Sequence, residues 1–217
     1  EGQSIHFDVY PYTASATALM PDRLSIAEKI LIVASDKYPD KAGKYLKDIA
    51  ISWNVTEIEA AEELLPAQAI YFAMDEDDVQ RVLKHERAMI GSDGIPGTNT
   101  PHPRLWGTFP RVLGHYSRRL DLFSLETAVY KMTGLTAQIF GFSGRGVLQP
   151  GAFADVTLFD PMSVIDRANF ETPTEPSIGI NSVIVGGEII LENGIQNNAR
   201  PGRVIKRGQW QNFSGSI

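Results

Sequence analysis

The sequence predicts an α/β fold followed by a small β-rich module. An apolar run, an amphipathic stretch and a second apolar run follow one another over residues 69–90, in the order strand, helix, strand. That order is typical of a parallel sheet with crossover helices. From Gly144 onward turn residues punctuate β-rich runs, and Gly186-Gly187 is a strong hairpin signal. We therefore expect an α/β part at residues 1–144 and a β-module at residues 145–217.

The opening segment predicts a strand, a loop and a helix. Residues 5–10 suit a buried strand, which Pro11 ends because proline offers no amide donor. Residues 10–17 carry two phenols and three hydroxyls on a predicted loop, which either lines a site for a polar ligand or connects strand to helix. Beyond Pro21, with Asp22 as N-cap, apolar residues recur at helical spacing: Leu24, Ala27, Ile30 and Leu31.

The next segment is predicted as a connection, a strand and a helix. Residues 37–47 are lysine-rich, which favours a solvated connection or helix, and residues 49–55 are predicted as a strand. Thr56 and Glu59 have the spacing of a capping box. That box predicts a helix running through Leu65.

The stretch at residues 89–114 is the candidate site. Gly91 and Gly94 flank Asp93, and three prolines separate this carboxylate from Arg104. Glycines permit close approach of the backbone to a ligand, and prolines limit the movement of a loop. One interpretation is a buried strand that delivers a carboxylate into a site, followed by a stiff loop that aims an arginine. The alternative is a plain turn and a surface charge.

The region after the candidate site predicts two helices. Ser124 can cap a helix whose apolar face is Leu125, Ala128, Val129 and Met132. We expect Gly134 to end that helix and Thr136 to begin a short second one. Arg118 and Arg119 are expected to be surface charges.

Three strands and a disordered tail are predicted in the β-module. Residues 154–160 are β-rich, and residues 181–185 and 188–191 flank the diglycine hairpin signal. The tail at residues 209–217 is expected to be disordered.

Composition excludes several classes of protein. The 20 basic residues are outnumbered by 26 acidic ones and form no long cluster, so a nucleic-acid partner is not expected. No apolar run is long enough to span a membrane, and the expectation is a soluble, cytoplasmic protein. The absence of cysteine excludes disulfides and thiolate metal sites, and the four histidines form no HxH or HxxxH pair.

Several motifs together resemble one enzyme family. They are Asp8-Val9-Tyr10-Pro11-Tyr12, Ile90-Gly91-Ser92-Asp93-Gly94, His102-Pro103-Arg104-Leu105-Trp106-Gly107-Thr108-Phe109-Pro110-Arg111, Met132-Thr133-Gly134-Leu135-Thr136-Ala137, Gly144-Arg145-Gly146, Pro150-Gly151-x-x-Ala154-Asp155 and Arg200-Pro201-Gly202-Arg203. These motifs resemble the N-acyl-D-amino-acid deacylases, or D-aminoacylases, of the amidohydrolase superfamily. The run that begins at His102 is specific to the deacylase branch.

The resemblance implies a fold and roles for three residues. The implied fold is the C-terminal part of a metal-dependent (β/α) barrel followed by a small β-sandwich. Asp93 matches the catalytic carboxylate that takes a proton from zinc-bound water and passes it to the leaving amine. Arg104 matches the arginine that binds the substrate carboxylate, and Tyr10 matches a substrate-contacting tyrosine. Ala16 stands where many relatives have serine, so a hydroxyl contact is expected to be absent.

The resemblance also implies a zinc site that this chain does not complete. The family's HxH, cysteine and two further histidines would all precede Tyr10, and the sequence lacks them. Asp93 is expected to make only a weak or second-site metal contact. His6 is expected to be structural, His102 to support the arginine loop, and His85 and His115 to be solvated.

We expect the C-terminal half of a zinc-dependent hydrolase of N-acyl-D-amino acids. Zinc belongs to the complete enzyme, and we expect this chain alone to hold none. Expected partners are the small-molecule substrate, a missing N-terminal half or a second copy that covers exposed strand edges. Two alternatives stay open: a non-catalytic remnant that folds as an oligomer, and a cyclic-amide hydrolase of the hydantoin type.

Overall fold

The computed structural model describes residues 5–98 and 100–207. The strands are β1 (Phe7–Val9), β2 (Ala14–Ala18), β3 (Lys29–Ser35), β4 (Ala67–Phe72), β5 (Ala88–Ile90), β6 (Val156–Phe159), β7 (Ile180–Val185), β8 (Glu188–Glu192) and β9 (Ile195–Gln196). The α-helices are α1 (Leu46–Trp53), α2 (Glu57–Leu64), α3 (Glu76–Lys84), α4 (Arg104–Arg111), α5 (Leu125–Met132) and α6 (Gly134–Phe140). A π-helix, Val112–Arg119, continues α4.

The α/β part contains two sheets. Strands β1 and β5 pair in parallel, with Phe7 opposite Ala88 and Val9 opposite Ile90. Strand β4 lies instead in an antiparallel sheet of order β2-β4-β3. The predicted parallel relation therefore holds for β5 but not for β4, because β2 and β3 take both hydrogen-bonding edges of β4.

Two predicted elements near the antiparallel sheet are wrong. The helix predicted beyond Pro21 is a short 3₁₀ turn, Pro21–Ile26, and Ile30 and Leu31 lie in β3. A short apolar run fits a buried strand as well as a helix face, and β3 is buried along most of its length. The strand predicted at residues 49–55 is α1, which buries Leu46, Ile49 and Ala50 at helical spacing. The periodic pattern begins at Leu46, before the predicted segment.

The antiparallel sheet packs against α1 and α2 to form one core. Thr56 and Glu59 form the predicted capping box, with both reciprocal hydrogen bonds present. The buried side chains of this core are Leu19, Ile30, Ile32, Leu46, Ile49, Ala50, Ala60, Ala61, Leu64, Ala69 and Tyr71. This core holds the sheet in place beside the candidate site.

A second core packs β5 against the helices that follow it. Its fully buried members include Leu83 from α3, Val112 and Tyr116 from the π-helix, and Ala128 from α5. Helix α5 has the predicted Ser124 cap. Helix α6 begins at Gly134 rather than at Thr136.

The C-terminal module contains the antiparallel sheet β6-β7-β8-β9. Gly186 and Gly187 connect β7 to β8 with φ of 59° and 86°, a conformation that favours glycine. Within the described residues this module has a single sheet, and the expected sandwich is not confirmed. The tail predicted to be disordered, residues 209–217, lies outside the described residues.

Arg118 connects this module to the α/β part. The prediction of a surface charge is wrong for Arg118, because its Nη1 donates to the carbonyls of Pro161 and Val164 at 2.8 and 2.7 Å. Arg119 is exposed as predicted. Among residues 5–98 and 100–207, no helix has the length and apolarity needed to cross a membrane.

Candidate active site

Asp93 follows the carboxyl end of β5, which is buried along its length. A Cβ at Gly91 would lie 2.4 Å from the Asp8 carboxylate, and one at Gly94 would lie 2.7 Å from the Leu105 side chain. Asp93 itself has φ of 45°, in the left-handed region that aspartate tolerates better than most residues. Tight packing on both sides therefore fixes the direction in which the Asp93 carboxylate leaves the sheet.

Arg104, at the start of α4, is the largest fully buried side chain among the described residues. Its Nη2 lies 2.7 Å from Asp93 Oδ2 and donates to the Ala16 carbonyl of β2 at 3.4 Å. The guanidinium carbon lies 4.5 Å from the centre of the Tyr10 ring, a cation–π contact. The structure therefore brings together the three residues predicted for the site.

The pKa of the Tyr10 phenol depends on burial and on both charges of the Asp93–Arg104 ion pair. Burial raises the pKa of the Tyr10 phenol, the positive charge of Arg104 lowers it, and the negative charge of Asp93 raises it further. The net pKa lies above the ordinary value of 10.0. Tyr10 therefore remains a neutral hydrogen-bond donor near neutral pH.

Asp93 and Arg104 border a cavity of about 380 Å³ between the antiparallel sheet and the loop that precedes α4, whereas Tyr10 is not among the described lining residues. The lining residues are Ala16, Thr17, Ala18, Val33, Gln68, Ala69, Asp93, Ile95, Thr98, Pro101, His102 and Arg104. Two buried polar atoms of this lining, Arg104 Nη1 and Thr98 Oγ1, have no hydrogen-bond partner. A buried guanidinium N–H without an acceptor is costly, so the cavity favours a ligand that supplies one.

His102 lies behind Arg104 in the wall of this cavity. It is buried, its Nδ1 accepts from the Arg104 backbone N–H at 3.0 Å, and its Nε2 is 2.9 Å from the Ala14 carbonyl. Burial and then the charge of Arg104 lower the pKa of His102 to about 3. This histidine supports the arginine loop, as the sequence indicated, and is neutral at physiological pH.

Comparison with protein families identifies the chain. The model of the amidohydrolase family matches residues 6–191, most of its length. This chain belongs to the amidohydrolase family. The match includes Tyr10, Asp93 and Arg104, so the candidate site lies within the family region of this amidohydrolase.

The similar proteins are deacylases. D-aminoacylase of Alcaligenes xylosoxydans xylosoxydans is 50% identical over 205 residues, which cover 94% of this chain and 42% of that protein. A crystal structure of a D-aminoacylase superposes with a TM-score of 0.91 at 52% identity, covering 94% of this chain and 43% of that one.

A third similar protein was solved with ligands. N-acyl-D-glutamate deacylase from Bordetella bronchiseptica has a TM-score of 0.89 at 49% identity, covering 93% of this chain and 42% of that one. It was solved with zinc and a phosphonate inhibitor that mimics the tetrahedral intermediate of its reaction. The amidohydrolase chain thus spans less than half the length of the relatives that it matches.

The described residues do not provide a zinc site. Over residues 5–98 and 100–207, no three His, Cys, Asp or Glu side chains converge in a way that could hold a metal ion. Asp93 is the one carboxylate in the described lining of the cavity. The described residues therefore do not complete a metal site by themselves.

Sequence reasoning did not identify the cavity wall formed by the antiparallel sheet. Val33, Gln68 and Ala69 line the cavity from β3 and β4, and each looks like an ordinary strand residue in the sequence. Residues 14–17, predicted as loop, are part of β2. Ala16 has no hydroxyl, as noted from the sequence, and contacts Arg104 through its carbonyl instead.

Proposed function

We propose that this chain supplies the carboxylate-binding and proton-transferring half of the active site of a zinc-dependent N-acyl-D-amino-acid deacylase. The observation that carries the proposal is the unpartnered Nη1 of Arg104, a guanidinium that is 1% exposed and borders a cavity of ligand size. The identity to D-aminoacylase supports this substrate class. The reaction yields a carboxylate and a D-amino acid.

In this proposal Arg104 holds the free α-carboxylate of the substrate. A guanidinium can donate two parallel N–H bonds to one carboxylate, which fixes both its position and its orientation. Burial removes competing water and strengthens the attraction. Tyr10 packs against the guanidinium and can donate its O–H toward the same ligand.

Asp93 then serves as the proton shuttle. The carboxylate accepts a proton from the water that attacks the amide carbonyl, and it returns that proton to the amine nitrogen as the C–N bond breaks. Its side chain is 59% exposed, so it can reach water and substrate. It also pairs with Arg104, so both groups face the same ligand-binding space.

The zinc of the complete enzyme is proposed from relatives alone. A solved N-acyl-D-glutamate deacylase carries zinc, whereas the described residues of this chain form no metal site. We propose that the metal ligands come from outside these residues, and that Asp93 makes at most a weak metal contact.

The buried guanidinium of Arg104 also argues against the alternative of a cyclic-amide hydrolase. Hydantoin-type rings have no free α-carboxylate for a buried guanidinium to bind. Preferred hydrolysis of a hydantoin over an N-acyl-D-amino acid would support that alternative instead.

The experiment joins this chain to the preceding region of D-aminoacylase from Alcaligenes xylosoxydans xylosoxydans, which shares 50% identity over the aligned residues. With zinc present, the hybrid should release D-methionine from N-acetyl-D-methionine and leave the L-enantiomer intact. The variant D93N should lose about 10²–10⁴-fold in kcat, the range of general acid–base catalysis. R104K should mainly raise KM, by about ten-fold, because it loses one charge-assisted hydrogen bond.

The same hybrid carrying H85N is the matched control, since His85 is exposed and away from the cavity. An inactive hybrid beside an active parent D-aminoacylase, both folded and zinc-loaded, would contradict the proposal. Elemental analysis of this chain alone tests the alternative of a non-catalytic remnant. Stoichiometric zinc in the purified chain would contradict that alternative.

A further inference from the structure

His102 makes two hydrogen bonds that only one of its protonation states allows. The Arg104 backbone N–H donates to Nδ1, so Nδ1 carries no proton. The Ala14 carbonyl oxygen can only accept a hydrogen bond, so Nε2 must carry a proton and donate it to that oxygen in the hydrogen bond. The ring is therefore the neutral Nε2–H tautomer, consistent with its burial and its lowered pKa.

These bonds fix the start of α4 relative to β2. One ring nitrogen holds the backbone of Arg104, and the other holds Ala14, 88 residues away in sequence from His102. The Arg104 side chain contacts Ala16, two residues further along the same strand. Backbone and guanidinium of Arg104 are thus both positioned against β2.

Aromatic side chains keep the His102 ring from turning. Tyr12 and Phe170 contact it edge-on, each with ring centroids 5.2 Å apart, and Tyr10 lies at 6.2 Å. Rotation of the imidazole would break both hydrogen bonds inside a buried wall. The ring is consequently a rigid spacer between strand and helix.

We propose that His102 is a positioning residue that aims the Arg104 guanidinium at the substrate carboxylate by locking the first residue of α4 to β2. The proposal rests on the function proposed above for Arg104. It assigns His102 no contact with substrate and no proton transfer. Substitution of His102 should therefore lower the affinity only for ligands that carry the α-carboxylate.

The test compares the binding of two ligands to the 217-residue chain by NMR titration. N-acetyl-D-methionine carries the α-carboxylate, and its carboxamide does not. H102A should weaken binding of the acid by about ten-fold and leave carboxamide binding unchanged. H102N should recover part of the acid affinity, because an asparagine oxygen can accept from the backbone N–H two residues later.

His85 provides a matched control. Its Nδ1 accepts from the Arg87 backbone N–H at 3.2 Å, the same local bond, but its ring is exposed. H85A and H85N should leave both affinities unchanged. In a chain that already carries R104M, H102A should not lower the ratio of acid affinity to carboxamide affinity any further.

Equal weakening of both ligands by H102A would overturn the proposal, since it would indicate general distortion of the cavity. Unchanged acid affinity in H102A would also overturn it. If H102A does not fold, H102N decides the question: its acid-to-carboxamide affinity ratio should fall below that of H85N, and an equal ratio counts against positioning.

A spectroscopic measurement separates this inference from the proposed function. In the free chain, the Arg104 Nε–Hε resonance should shift in H102A and not in H85A, and the His102 ring should show the Nε2–H tautomer. Failure of the unsubstituted chain to bind the acid would contradict the carboxylate function of Arg104. The Arg104 resonance then still decides positioning: an unchanged shift in H102A overturns it.

Discussion

Removing either partner of the Asp93–Arg104 ion pair should have unequal effects on stability. Arg104 is 1% exposed and Asp93 is 59% exposed, at an N–O distance of 2.7 Å. The substitution D93N leaves a buried guanidinium without its counter-charge. The substitution R104M instead leaves a carboxylate that water can solvate, and fills the space of the arginine with an apolar chain.

The expected magnitude follows from the distance and the exposure. Two unit charges 2.7 Å apart interact by about 1.5 kcal/mol at the permittivity of water, and more in a partly dry site. Exposed pairs contribute little, whereas an unpaired buried charge is destabilising. We therefore expect D93N to lower the free energy of unfolding by about 2 kcal/mol, and R104M by less than about 1 kcal/mol.

Urea denaturation of the unsubstituted chain, both single variants and the double variant measures these values and the coupling between them. The double variant should resemble R104M, because no buried charge remains in it. Added salt should reduce the D93N effect only in part, since one partner is shielded from solvent. A larger loss in R104M than in D93N would refute this account of the pair.

Three further substitutions, one of them with a matched control, test buried contacts and helix capping elsewhere in the fold. Lys131 is buried and donates to the carbonyls of His85 and Ala88, so K131M should cost about 2–3 kcal/mol. Burial lowers the Lys131 pKa below its ordinary 10.5, so the unfolded chain binds more protons there. Unfolding free energy, measured by urea titration, should therefore rise with pH just below 10.5, and this rise should be absent in K131M. G114A places a Cβ 2.2 Å from the Val164 carbonyl and should cost about 3 kcal/mol in the same assay, whereas G202A, in open space, should change nothing. T56A removes the cap of α2 and should lower the melting temperature by the equivalent of about 1 kcal/mol, and an unchanged value would contradict the capping role.

Local signals in the sequence were reliable where one residue type has one structural use. The capping box at Thr56, the Ser124 cap and the diglycine hairpin are each confirmed, because hydrogen bonding and φ restrict these positions directly. The errors at residues 21–31 and 49–55 have a different origin. Short apolar runs satisfy both helical and strand spacing, and tertiary pairing then decides between them.

The sequence named three candidate residues that the structure places in contact, but it did not indicate the walls of the cavity. Tyr10, Asp93 and Arg104 stand in motifs, and the structure brings them together. The cavity also needs β3 and β4, whose approach depends on contacts between segments far apart in the chain. No sequence periodicity around Val33 or Gln68 reveals that they line the cavity.

The position of Arg104 shows why such a site needs distant segments. An arginine side chain has several rotatable bonds, and its own helix fixes only the backbone at its start. The carbonyl of Ala16, the ring of Tyr10 and the carboxylate of Asp93 constrain the guanidinium from three separate segments. Any substitution that moves β2 should therefore reduce the carboxylate binding proposed for Arg104 without touching Arg104 itself, because the guanidinium and His102 are both hydrogen-bonded to that strand.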